Sequence, residues 1–100
     1  MELKELEKHM HAFVASKGWY DIDSPKEQSP RNLAASLMIE AAEVLEHFQW
    51  QRDVIDRPAL ASELADVALY LIQLASVTDI DLEQAILDKL STNQDRNWQE

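Results

Sequence analysis

Cysteine is absent from this sequence, and its 100 residues include one glycine and three prolines. Without cysteine there are no disulfide staples and no thiolate zinc sites, a usage that fits a reducing compartment. So few glycines and prolines cannot serve the turns of a hairpin-rich β protein, which leaves helix favoured. Basic residues are scarce as well: nine Lys and Arg face nineteen Asp and Glu, a formal charge of −10 at pH 7. A field of that sign repels phosphodiester backbone and anionic lipid, so neither a nucleic-acid polymer nor a membrane surface is an expected partner. An anionic small ligand would need a cation between itself and the protein. No apolar run approaches the ~18–20 residues of a membrane span. The segment Met1 to Lys8 is too charged for a signal peptide, and the expected location is cytoplasmic.

What is present is ordinary globular material, 46% hydrophobic and 28% charged. Disorder is disfavoured, and one domain spanning residues 1–100 is expected. A domain of this size has a thin core, so burial between subunits is a natural supplement. Four helices follow from periodicity and punctuation. The first runs from Glu2 to Lys17, with Leu3, Leu6, Met10, Phe13 and Val14 on one face and Gly18 as its C-terminal cap. A polar stretch, Trp19 to Ser29, interrupts. The second helix opens with Ser29 as N-cap and Pro30 in its first turn, and its pattern extends to Arg52. The third spans the region from Asp56-Arg57-Pro58 to Val77. Asp81 caps the fourth, with Gln84 completing a capping box, and that helix frays after Arg96. The expected architecture is an all-α, four-helix bundle-like protomer.

The second helix carries an apolar face of Leu33, Leu37, Ala41, Val44, Leu45 and Phe48. Beside it runs a stripe of Ser36, Glu40, Glu43, His47 and Trp50. The third helix repeats the design, with Leu60, Leu64, Val67, Ala68, Leu71 and Ala75 on one face and Glu63, Asp66, Tyr70 and Gln73 in a stripe. Leu69 and Ile72 widen its apolar arc, so burial on most sides is expected. Carboxylates on such a helix cost several kcal/mol each unless paired or bound to metal.

The constellation is Glu40-x-x-Glu43, nineteen residues, then Glu63-x-x-Asp66. Each i, i+3 pair shares one helix face, and the short connection makes the helices antiparallel neighbours. Four carboxylates then converge. They repel or take up protons unless a cation joins them, and all-oxygen ligands select Mg²⁺, Mn²⁺ or Ca²⁺ over zinc. Spacing alone is weak, because this chain has five acidic i, i+3 pairs where chance supplies about 3.5. The weight lies in two pairs at matching offsets on the two most apolar helices. The competing interpretation is a plain bundle with two exposed acidic faces. A di-iron carboxylate bundle fits poorly, since Glu-x-x-His does not occur.

At these residues the sequence resembles the all-α nucleoside triphosphate pyrophosphohydrolases, the MazG-like superfamily, whose signature is E-x-x-E, a spacer, and E-x-x-D. More closely it resembles the compact dCTP pyrophosphatase branch. Pro30-Arg31-Asn32-Leu33, Phe48-Gln49-Trp50, Glu63-Leu64-x-Asp66-Val67-x-x-Tyr70-Leu71, Asp81-Leu82 and Lys89-x-x-x-Asn93-x-x-Arg96 carry the likeness, across residues 10–96. The resemblance implies Mg²⁺ ligands (Mn²⁺ as a substitute) at Glu40, Glu43, Glu63 and Asp66, which are also the catalytic residues. It implies a base pocket of Trp19, Trp50 and Tyr70, and phosphate contacts from Lys89, Asn93 and Arg96. The implied activity is hydrolysis of a dNTP between its α and β phosphates, giving a monophosphate and pyrophosphate, as a pool-sanitation function. The implied assembly is a homodimer or homotetramer with sites at subunit interfaces.

Two positions depart from the pattern. Met10, flanked by His9 and His11, stands where relatives carry a histidine, and Gln94-Asp95 replaces residues that are often basic. Glu46 is a candidate general base or extra ligand, whereas a lone His47 reads as structural. The rival functions are dUTPase-like or phosphoribosyl-ATP pyrophosphohydrolase activity, or a non-catalytic acidic helical dimerisation module.

Overall fold

The computed structural model describes residues 1–96 as four helices: α1 (Leu3–Ser16), α2 (Pro30–Glu46), α3 (Arg57–Val77) and α4 (Leu82–Asp95). There is no strand among the described residues. The last four positions of the expected 1–100 domain lie outside them.

Side-chain caps set three of the four helix starts. Ser29 Oγ accepts from the Asn32 N–H at 3.2 Å, Asp56 Oδ1 from Ala59 at 3.0 Å, and Asp81 Oδ1 from Gln84 at 3.1 Å. Each satisfies one donor that the first turn leaves without an intrahelical partner, worth about 1 kcal/mol. The expected capping box at Asp81 is only half formed. Gln84 instead turns its side chain along the helix, and its Nε2 donates to Asp88 Oδ1, one turn ahead, at 2.8 Å.

Two helices end in the same left-handed device. Gly18, at φ 73°, donates to the Ala15 carbonyl and Trp19 to that of Val14, closing α1. Asp79, at φ 58°, donates to Ser76 and Ile80 to Ala75, closing α3. Glycine takes this conformation freely, whereas Asp79 bears a cost of roughly 1 kcal/mol or more.

The second helix stops six residues before the expected Arg52. Beyond Glu46 the chain tightens into turns, Phe48 N–H donating to Leu45 and Gln49 to Glu46, and Gln51 Nε2 donates to the His47 carbonyl. No glycine or proline marks this end, so periodicity alone ran past it.

The α2–α3 pair forms the main contact, while α1 and α4 lean on α3. Met10, Val14 and Ile72 form a small core, with Leu3, Trp19 and Leu82 against it, and Leu33 is 2% exposed near the start of α2. The expectation that α3 is buried on most sides is overturned for the protomer. Its buried residues, Ile72, Gln73 and Ala75, are confined to its C-terminal third, where α1 and α4 meet it. Leu64 and Leu71 are exposed, as are Met38, Ile39 and Leu45 on α2. The Cα radius of gyration, 16.1 Å, exceeds the ~13 Å of a compact chain of this length.

The span Arg57–Val77 is long and apolar enough to cross a membrane by length and composition. Glu63 and Asp66 in its first half are costly in lipid and suit a helix packed on protein.

Candidate active site

The acidic stripes of α2 and α3 face one another. One carboxylate oxygen from each of Glu40, Glu43 and Glu63 lies within 4.8 Å of the other two, and all three residues are half-buried. The i, i+3 spacing brings Glu40 and Glu43 onto one side of α2, and the antiparallel return delivers Glu63 opposite them.

Their electrostatics are those of crowded acids. Burial, then the Glu43 charge and a hydrogen bond to Glu43, and then Asp66 and Glu63, hold the Glu40 carboxyl above the usual carboxylate range. Glu63 is raised as well, first by its hydrogen bond with Glu43, then by desolvation and the charges of Glu43 and Asp66. His47, whose Nε2 lies 3.9 Å from Glu63 Oε1, opposes that shift. Glu43 thus sits between Glu40 and Glu63, hydrogen-bonded to each, and both neighbours hold their protons more tightly than a free carboxyl does.

Glu40 Oε2 and Glu63 Oε2 are buried and accept no hydrogen bond from any described residue. Orphaned acceptors beside raised carboxyls are what a hard divalent cation would satisfy, and the all-oxygen donor set suits one. The residues present fit a metal ion.

Asp66 stands apart from this trio and lines an adjoining cleft of about 790 Å³. The cleft lies among α1, the loop after it, the start of α2 and the middle of α3. Tyr70 lines it one turn beyond Asp66, and Trp19 lines it from the loop, with Met10, Phe13, Leu33 and Leu69 as apolar wall. Trp19 is held from two directions: the Phe13 ring meets it edge-on at 5.7 Å, and Lys26 Nζ sits 4.8 Å from its centroid. The expected residues Asp66, Trp19 and Tyr70 are therefore brought to one cleft that adjoins the carboxylate trio.

The remaining expected residues lie elsewhere in the protomer. Trp50 falls beyond the end of α2, 90% exposed, and does not line the cleft. Lys89, Asn93 and Arg96 share a side of α4 or its C-terminal cap, and none lines the cleft. Their spacing is helical, but α4 packs only on α3 to any extent.

Other cleft residues carry no motif. Among the described residues, Lys26 is the one Lys or Arg in the cleft lining. Gln28 and Gln73 line it too, and Gln73 Nε2 donates to both Gln28 Oε1 and Tyr20 Oη. Burial pushes the Tyr20 phenol up, with the Gln73 bond opposing, so it stays a donor at neutral pH. Gln73 was visible as the next member of the Glu63-Asp66-Tyr70 stripe. Tyr20 and Gln28 sit in an irregular loop and left no such signal.

Comparison with known proteins shows the family. Residues 35–100 match the model of the MazG-like family. Mouse (Mus musculus) dCTP pyrophosphatase 1 is 36% identical over 99 residues, covering 89% of this chain and 55% of that protein. The human (Homo sapiens) dCTP pyrophosphatase 1 is 35% identical with the same coverage. The chain thus spans about half the length of the curated relatives it matches. Among solved structures, a pyrophosphatase from Archaeoglobus fulgidus superposes with a TM-score of 0.80 at 35% identity, covering 98% of this chain and 93% of that one.

Proposed function

The chain belongs to the MazG-like family, and on that premise we propose that it is a Mg²⁺-dependent nucleoside triphosphate pyrophosphohydrolase. Its substrates in this reading are deoxynucleoside triphosphates, dCTP first among them, and its role is nucleotide pool sanitation. The observation that carries the reading is the convergence of Glu40, Glu43 and Glu63, two with orphaned buried oxygens, beside a cleft lined by Trp19 and Tyr70.

Held by Glu40, Glu43, Glu63 and Asp66, Mg²⁺ (or Mn²⁺) would supply the positive charge that phosphate oxygens require beside an acidic protein. Trp19 stacks on the base, and Tyr70 borders it. Water attacks the α-phosphorus, the bond to the α–β bridging oxygen breaks, and pyrophosphate departs with that oxygen. Lys89, Asn93 and Arg96 neutralise the distal phosphates. None of these three lines the protomer's own cleft, so a neighbouring subunit supplies them, and Trp50 with them. The resulting homodimer or homotetramer covers the exposed Met38, Ile39, Leu45 and Leu64, which a chain this small cannot bury alone.

Two measurements test this. Incubation with Mg²⁺ and a panel of dCTP, dUTP, the other dNTPs and phosphoribosyl-ATP should release pyrophosphate and monophosphate rather than orthophosphate. No release from any of them would leave the non-catalytic helical module as the better reading. Light scattering at micromolar concentration should give the mass of two or four chains, and a monomer would remove the shared site.

A further inference from the structure

From the cleft wall a chain of hydrogen bonds runs inward, through Gln28 and Gln73 to Tyr20, His11 and Ser76, that neither the carboxylates nor the stacking ring uses. Its polarity is set at one end. The Lys26 carbonyl oxygen can only accept, and Gln28 Nε2 donates to it at 2.7 Å. That orients the Gln28 amide, so its Oε1 accepts from Gln73 Nε2 at 2.8 Å. The second hydrogen of Gln73 Nε2 goes to Tyr20 Oη at 3.2 Å. Tyr20 Oη also pairs with His11 Nδ1 at 2.5 Å, and His11 Nε2 pairs with Ser76 Oγ at 2.7 Å. A backbone carbonyl thus assigns the orientation of both amides.

Gln73 is 3% exposed, and both of its N–H groups are engaged. Flipping its amide would set two carbonyl oxygens face to face at 2.8 Å. What remains is Oε1, an acceptor that no described residue donates to, on a side chain lining the cleft with Trp19 and Tyr70. An acceptor with no protein donor is open to one that a ligand brings, and the bond then adds to affinity.

We propose that Gln73 Oε1 is a fixed hydrogen-bond acceptor that selects bases bearing an exocyclic amino group over their oxo counterparts. This rests on the nucleotide reading above and adds the residue that discriminates. A 4-aminopyrimidine or a 6-aminopurine offers an N–H donor at the position where the oxo base offers a carbonyl oxygen. The first pairs with Oε1 and the second is repelled by it. Gln28 acts through Gln73, as a positioning residue.

Calorimetric affinities for two matched pairs of monophosphates, dCMP against dUMP and dAMP against dIMP, test this without metal or turnover. The wild-type protein should favour the amino member of at least one pair by about tenfold or more. The pair that shows it identifies the ring. Gln73→Met should bring that preference to within about twofold by weakening the amino member, with little change for the oxo member. Gln28→Ala leaves Gln73 in place and frees its amide to turn, so it should erode the same preference, and it decides the matter if Gln73→Met does not fold. Equal wild-type affinities, a preference that survives both substitutions, or no binding of any of the four at millimolar concentration would overturn the assignment. Failure of the hydrolase reading is distinct: it would show as no pyrophosphate from dCTP with Mg²⁺ while the monophosphate preference persisted.

Discussion

Glu43→Gln should reduce Mg²⁺-dependent pyrophosphate release by about 10²–10³-fold, the scale of removing one charged group from a preorganised site. It should do so without unfolding the protein. Glu43 is the bridge of the trio, hydrogen-bonded to both Glu40 and Glu63 and close enough to raise each. The amide keeps the shape of the side chain and removes one of three mutually repelling charges. In metal-free buffer the variant should therefore melt at or above the wild-type temperature. Loss of activity with retained or increased stability separates a ligand from a structural residue, whose loss would lower both. Turnover in Glu43→Gln close to the wild-type rate, with the same Mg²⁺ dependence, would remove Glu43 from the ligand set.

The parts of this molecule that were legible beforehand are those set by neighbours in sequence. Ser29, Asp56 and Asp81 act within three residues of themselves, and all three caps formed. The acid stripes were legible because a carboxylate on an apolar helix is costly anywhere except against a cation or a proton. Helix ends without punctuation were not, and α2 stops at Glu46 although its apolar pattern continues through Phe48. Burial was misjudged for a different reason. Periodicity marks apolar faces without saying what covers them, and Leu64 and Leu71 remain 51% and 41% exposed. Least legible was the Gln73 network, whose partners lie 45 and 53 residues away in a loop with no period.

The same crowding makes the effect of metal on stability depend on pH, in a direction the raised carboxyls dictate. A carboxyl whose folded value lies above its unfolded value of about 4.5 holds its proton more tightly in the native state. Its stabilisation is complete below the unfolded value and is lost as pH rises through the folded one. With a chelator present, the contribution of Glu40 and Glu63 should thus decline from about pH 4.5 upward. Other acids titrate in the same range, so the signal is the difference between wild type and Glu63→Gln, which lacks one of the two groups. Mg²⁺ should reverse the trend, because protons compete with the cation for the same oxygens and deprotonation now favours binding. At a concentration of one hundred times its dissociation constant, a cation that binds only the folded state adds about 2.7 kcal/mol. The wild-type melting temperature should accordingly rise on adding Mg²⁺ near pH 8, and by far less near pH 5. Glu63→Gln should show a small response at both. Wild-type and variant melting curves that ran parallel across this range, with and without Mg²⁺, would mean that the three carboxylates converge without holding a metal.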